Sequence, residues 1–362
     1  MTEAASHRIY KLDNVRWLCI LLVVVGHFID QYTGDVDKFK SLFLAIYSFH
    51  MPMFFFISGL FQKREGRDSS FNVPSFTFYI MTGYLLKLLT YIIAVIGKGY
   101  GTFEFFGGDA IPWFMFVLAA YTLITYLTRN VKPVIVMTAA LAIGCICGYF
   151  KFIGDFLWLS RIFVFLPFYL AGYYLTAGQV IRFTSKNYVR IPAWIISLIF
   201  FVLCFVRLDR IYGLRKLFTG KNPFSNVAIE NCSAMHRIIC YLLSAVICIA
   251  VIAIVPDKKI PLVTGWGGNT ISVFFWHRLV LYVFQYTGFL KLLTVTFSKK
   301  VWCIFVLLLA ALVCMIFSAD IFGYPLRKLK QLLKKLKPVW CLAMIAAIVL
   351  IGLIRNLIVQ II

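Results

Sequence analysis

Apolar runs of about 17 to 25 residues recur from one end of this 362-residue chain to the other, each long enough to cross a roughly 30 Å hydrocarbon core as a helix. Eleven such segments stand near residues 14–33, 41–61, 76–97, 111–127, 133–150, 156–177, 189–206, 238–255, 269–290, 301–320 and 339–361. They predict an all-α, polytopic transmembrane helix bundle with ten core helices and an eleventh at the C-terminal end. A mean hydropathy of +0.90 lies far outside the soluble globular range. The first segment has too long an apolar run, and no small-residue cleavage site after it, to read as a signal peptide, so a retained helix is expected, with the mature protein starting near Met1.

The net charge of +22 raises nucleic acid as a partner, but Lys and Arg are scattered between the spans and no nucleic-acid motif is present. Topology explains the charge better. With a cytoplasmic N-terminus, the short inside loops hold Lys63, Arg64 and Arg67, then Arg129 and Lys132, then Arg182, Lys186 and Arg190, then Lys258 and Lys259. The run RKLKQLLKKLK from Arg327 falls on the same side, as the positive-inside rule asks. A basic and aromatic stretch from Arg207 to Arg237 is the longest outside loop, and residues 323–338 read as a basic cytoplasmic loop. Of ten cysteines only Cys232 sits in a loop, and no CxxC or Cys/His spacing is present, so neither a disulfide framework nor a metal site is expected.

The spans themselves carry ionisable groups, which are costly at membrane depth and normally face protein or a wet cavity. In YKLDNVRWLCILLVVVGHFID, Arg16 and His27 stand eleven residues apart, nearly on one helix face and about 16 Å apart along the axis. Asp13 precedes Arg16 by one turn and Asp30 follows His27 by one turn. In SFHMPMFFFISGLF, Pro52 cannot donate to the carbonyl of Ser48, and His50, Ser58 and Gly59 accompany it. Lys87, Arg161, His277 and Arg278 interrupt three further apolar runs. Several cations with few carboxylates suit an anionic ligand such as a phosphate better than a proton relay.

Five stretches in order, YKLDNVRWLCILLVVVGH, FHMPMFFFISGLF, PWFMFVLAAY with Trp113, RIFVFLPFYLAGYYL from Arg161, and GWGGNTISVFFWH ending at His277, resemble the integral-membrane acyltransferase family 3, and within it sugar O-acetyltransferases similar to fucose 4-O-acetylase. The resemblance spans roughly residues 8 to 320. It implies a membrane acyltransferase domain over residues 1–322, with residues 339–362 as an additional helix. It also implies acetyl-CoA as a cytoplasmic acyl donor, and a carbohydrate acceptor, free or lipid-linked, at or beyond the outer face of a bacterial-type inner membrane. Arg16 and His27 would be the essential first-helix pair. Many members also carry an Arg-x-x-Arg element around the third helix, where YLLKLLTY offers only Lys87.

The residue types suit that chemistry. A positioned imidazole can take the proton of a sugar hydroxyl as it attacks a thioester, typically worth about 10²–10⁴-fold. His27 is the candidate base or transient acyl carrier, and Asp30 the candidate to orient it. Arg16, Lys87 and Arg161 are candidate contacts to the donor's phosphates or thioester. Asp13, His50, Ser58, Trp113, His277 and Arg278 are expected in substrate contacts or structural support. The competing readings are a transporter or flippase for a lipid-linked sugar, which needs cations but no base, and a membrane sensor or scaffold.

Overall fold

The computed structural model describes residues 9–62, 70–108, 112–154 and 156–361, which are helical with no β-strand among them. The first spans are α1 (Tyr10–Asp30), the broken pair α2 (Asp37–Tyr47) and α3 (His50–Phe61), α4 (Val73–Lys98), α5 (Trp113–Leu127), α6 (Pro133–Ile146) and α7 (Leu159–Tyr174). A short α8 (Ala177–Thr184) leads into α9 (Asn187–Val206), then two single-turn pieces, α10 (Leu208–Ile211) and α11 (Leu214–Phe218), and α12 (Ala234–Ile254). The last part comprises α13 (Val263–Gly267), α14 (Thr270–Tyr286), α15 (Phe289–Thr296), α16 (Lys299–Phe317), α17 (Asp320–Lys335) and α18 (Pro338–Ile361).

All eleven expected spans contain helix, and the architecture is an all-α polytopic membrane bundle. Among the described residues, eight helices or joined pairs are long and apolar enough to cross a bilayer, and α14 with α15, bent by 62°, makes a ninth candidate. The remaining two, Trp113–Leu127 and Pro133–Tyr149, are shorter.

Two expectations require correction. The stretch 323–338, expected as a basic loop, is largely the helix α17. Leu326, Leu329 and Leu333 recur at helical spacing beneath its lysines and pack against the bundle, so the charged face hides an apolar stripe. The segment 207–237, expected as an outside loop, is also less open than a loop. It contains α10 and α11, and Arg237 sits in the first turn of α12 at only 1% exposure. Lys63, Arg64 and Arg67, used above to orient the chain, lie outside the described residues.

Three local devices set the core. Between α2 and α3 the helix breaks at Ser48 and Phe49, because Pro52 has no N–H to return to Ser48. The carbonyl so released accepts a hydrogen bond from Ser244 Oγ at 2.5 Å, supplied by α12, which keeps the break satisfied inside the membrane. Second, α3 and α7 cross backbone to backbone. A Cβ on Gly59 would meet the carbonyl of Tyr169, and one on Gly172 the carbonyl of Phe56, so only glycine permits the approach. Third, the start of α1 is locked to the segment before α14. Asn14 Nδ2 donates to the carbonyls of Pro256 (3.1 Å) and Lys258 (3.0 Å), and Thr264 Oγ1 donates to Asn14 Oδ1 (2.7 Å). Trp17 stacks on Trp266 with ring centroids 5.8 Å apart.

Candidate active site

With the start of α1 fixed, one of its faces is left to line a cavity of about 1170 Å³. That face is Arg16, Ile20, Val23, His27 and Asp30, successive members of a 3–4 spacing. The two ends of the stripe are about 21 Å apart along the axis. The cavity is therefore as long as much of a membrane span, and α1 runs beside it.

At the Arg16 end the wall includes Phe61, Gln62, Ser70, Asn72, Ser75, Thr270 and Lys330. Arg16 Nη1 pairs with Asp13 Oδ1 at 3.4 Å, its Nη2 donates to Thr270 Oγ1 at 3.3 Å, and its guanidinium lies 5.3 Å from the Phe61 ring centroid. Asp13 is thus a partner that fixes the arginine and does not itself line the cavity. Lys330, from α17, stands over Phe78. Burial first, and the neighbouring Lys334 second, push its ammonium below the usual lysine range.

One turn before the Asp30 end, the fold brings three histidines and a tyrosine together. His27 and His277 stack with centroids 5.4 Å apart, and Tyr47 Oη lies 3.5 Å from His27 Nδ1. His50 meets the same Tyr47 ring at 4.6 Å between centroids. His50 Nδ1 lies 2.8 Å from the carbonyl of Ile46, and His277 Nδ1 lies 2.8 Å from that of Val273. A carbonyl only accepts, so each of these two Nδ1 atoms carries the hydrogen, and each neutral ring has a lone pair at Nε2. His277 is fully buried, lies behind His27 and outside the cavity lining, and its Nε2 has no hydrogen-bond partner. His27 and His50 line the cavity directly. No group of three or more His, Cys, Asp or Glu side chains able to hold a metal ion occurs among the described residues.

Arg161, Trp113 and Ser58 also line the cavity, with the Arg161 guanidinium 4.7 Å from the Trp113 ring centroid. At the Asp30 end stand Arg215, Lys216, Thr219, Lys221, Asn222 and Arg278. The positive charges acting on Asp30 come from Arg278 and Arg215. Asp30 makes no hydrogen bond to His27; the polar neighbour of that ring is Tyr47, which the sequence pattern did not single out.

Lys87 is placed elsewhere. It opens on a second cavity of about 440 Å³ with Tyr91, Glu104, Tyr282 and Tyr286. Its ammonium donates to the carbonyls of Glu104, Phe105 and Gly107 and lies 4.9 Å from the Trp158 ring centroid. These contacts tie the segment after α4 back onto that helix. The expected grouping of Lys87 with Arg16 and Arg161 therefore does not occur, because about four turns of helix along α4 separate Lys87 from Asn72 at the Arg16 end.

A family model described as an acyltransferase domain, of the membrane acyltransferase 3 type, matches residues 9–320. No curated protein and no solved structure matches the chain. The match covers α1 through α16 and the start of α17, hence every element that lines the large cavity except the rest of α17 and the first residue of α18. The chain belongs to the membrane acyltransferase 3 family, and the cavity beside α1 is the candidate site of acyl transfer.

Proposed function

We propose that the protein moves an acyl group, in the simplest case acetyl, from cytoplasmic acyl-CoA to a hydroxyl of a cell-surface or lipid-linked carbohydrate, with His27 as the base. The observation that carries this reading is the single cavity in which Arg16, His27 and Asp30 follow one another along the same face of α1. Donor and acceptor can then enter from opposite ends and meet at the imidazole.

The Arg16 end suits the donor. Arg16 and Lys330 are cations at its wall, and CoA carries a nucleotide and pyrophosphate that such groups bind. Lys330 belongs to α17, whose exposed face carries Arg327, Lys328, Lys334 and Lys335, and a lysine-rich helix beside the membrane favours the cytoplasmic side. The N-terminus of α1 is accordingly cytoplasmic, and Asp30 stands toward the outer face.

In the direct route, the acceptor hydroxyl gives its proton to His27 Nε2 while its oxygen attacks the thioester carbonyl. The carbon–sulfur bond then breaks, and the proton passes to the departing CoA sulfur. For Nε2 to accept, Nδ1 must hold the ring's hydrogen and donate it to Tyr47 Oη. Tyr47 therefore positions the base. Stacking of His277 on His27 fixes the ring plane, and Arg278, the cation that acts most strongly on His27, stabilises negative charge developing on the carbonyl oxygen. In the alternative route His27 carries the acyl group transiently, which predicts ping-pong kinetics.

The test uses purified protein in nanodiscs with acetyl-CoA labelled in the acetyl group and envelope glycans of the source cell as acceptor. Label should pass to carbohydrate with wild type and stop with His27→Ala, while the variant keeps its stabilisation by acetyl-CoA. Transport of a lipid-linked sugar that survives His27→Ala, with no label transferred by wild type, would instead establish the flippase reading.

A further inference from the structure

The Asp30 end of the cavity has an excess of positive charge that neither the fold nor the donor accounts for. Four cations, Lys221 and the three residues Arg215, Lys216 and Arg278, face this end together with one carboxylate, Asp30. Each of the three is held by neutral groups. Arg215 Nη1 donates to Tyr212 Oη at 3.0 Å, and its guanidinium lies over the rings of Tyr212 and Phe43. Lys216 Nζ donates to the carbonyl of Asn226 at 2.6 Å. Arg278 lies 4.7 Å from the Tyr282 ring centroid, and its Nε is buried with no hydrogen-bond partner. None of the three forms an ion pair with a carboxylate among the described residues.

Like charges confined beside a low-dielectric wall repel one another and stay together only when something opposes them. The phosphates of CoA do not reach this end if they sit at Arg16 and Lys330, since the two ends of the α1 stripe are about 21 Å apart. Cations thus outnumber carboxylates at this end, and a phosphate monoester carries about −1.5 to −2 at neutral pH. A guanidinium beside an ammonium is also the donor pattern that phosphate oxygens accept, the fork from Arg215 and a point charge from Lys216. Thr219 and Asn222, lining the same mouth, supply the neutral donors and acceptors that sugar hydroxyls need.

We propose that the carbohydrate acceptor carries a phosphate group, held at the outer mouth by Arg215 and Lys216 while the hydroxyl to be acylated reaches inward past Asp30 to His27. This rests on the acyl-transfer reading for the direction in which the acceptor lies. The phosphate chemistry has two sources, a lipid-linked glycosyl phosphate and a phosphate within the glycan itself.

The experiment measures thermal stabilisation of the purified protein by hexose 1-phosphates, by the same free hexoses, by a polyprenyl-linked hexose phosphate and by acetyl-CoA. It uses wild type, Arg215→Gln, Lys216→Gln and Lys330→Gln. The hexose phosphates should stabilise wild type and the free hexoses should not. Affinity for the phosphates should fall at least tenfold in Arg215→Gln and Lys216→Gln and stay within about twofold in Lys330→Gln, while acetyl-CoA shows the opposite order. Arg215→Lys, which keeps the charge without the fork, should fall between and guards against loss of the fold. A polyprenyl-linked phosphate that binds more than tenfold tighter than the free one assigns the lipid-linked source; equal binding assigns a phosphate in the glycan. Equal response to phosphorylated and free hexoses, or phosphate binding lost in Lys330→Gln instead, overturns the proposal. Failure of the acyl-transfer reading gives a different result: acetyl-CoA leaves wild type unstabilised while the hexose phosphates still bind through Arg215.

Discussion

The two ends of the cavity are both cationic, yet they are built differently. At one end Arg16 is paired to Asp13 and anchored to Thr270, so its charge is fixed in direction by partners on α1 and α14. At the other end Arg215 and Lys216 project from the short helix α11 and rest on a tyrosine hydroxyl and a backbone carbonyl. A group fixed by a carboxylate and a hydroxyl presents one geometry, which suits a single invariant donor. Groups held by neutral partners on a connecting segment can accommodate variation, which suits the acceptor side of the proposed reaction. Between them, the imidazole cluster is the only part that has to be shared.

The largest effect should come from that shared part. Replacing His27 by Ala removes the base and should lower the rate of acyl transfer by about 10²–10⁴-fold while leaving acetyl-CoA stabilisation intact. Equal loss of both would merge the donor end with the catalytic centre and break the division. Next comes Arg16→Ala, which removes a charged hydrogen-bonding group at the donor end. A loss of about 1.5–3 kcal/mol of binding corresponds to roughly 10- to 150-fold weaker acetyl-CoA binding, read from a ligand titration of melting temperature.

Gly172→Ala tests the wall and neither end. Its methyl group would press on the carbonyl of Phe56 where α3 crosses α7, and overpacking of this kind costs about 1–3 kcal/mol of stability. Thermal unfolding should show the loss, and the affinity for acetyl-CoA of the protein still folded should not change. Tyr47→Phe should cost about 1 kcal/mol, a roughly fivefold fall in transfer rate, since the contact it removes is the 3.5 Å one to His27 Nδ1.

The smallest effect concerns pH. Burial and Lys334 hold Lys330 below the usual lysine range, so it loses its proton earlier than a free lysine as pH rises. Acetyl-CoA binding should therefore weaken on the alkaline side before ordinary lysines titrate, and Lys330→Arg should flatten that decline. For folding the sign is reversed. A lysine with a depressed native pKa binds fewer protons than in the unfolded chain across that window, so its destabilising contribution is relieved as pH rises through it.

The first helix was legible because its message is periodic. Arg16, His27 and Asp30 recur on one face, and an unbroken helix keeps them there. The break at Ser48 was legible too, since Pro52 dictates which carbonyl is released; its partner Ser244 lies on α12, 196 residues away, and no local pattern points to it. Tyr47 and Lys330 were missed for the same reason, as each reaches the cavity from a different part of the chain, while Arg215 and Lys216 were legible only as part of the basic stretch from Arg207 to Arg237. Lys87 shows the reverse error. A lysine inside an apolar run resembles a ligand contact, but three backbone carbonyls can satisfy it equally well. The Arg-x-x-Arg spacing sought near Lys87 does occur at Arg64 and Arg67, which lie outside the described residues.

The division of the cavity is tested most directly by titrating acetyl-CoA against the thermal stability of wild type, Arg16→Ala and His27→Ala under conditions where all three are folded. At about 100 times the dissociation constant the donor should add roughly 2.7 kcal/mol to wild type. The account predicts the same stabilisation in His27→Ala and a marked loss in Arg16→Ala. Stabilisation that survives in Arg16→Ala but disappears in His27→Ala, or that is absent in wild type, would contradict a donor site at the Arg16 end.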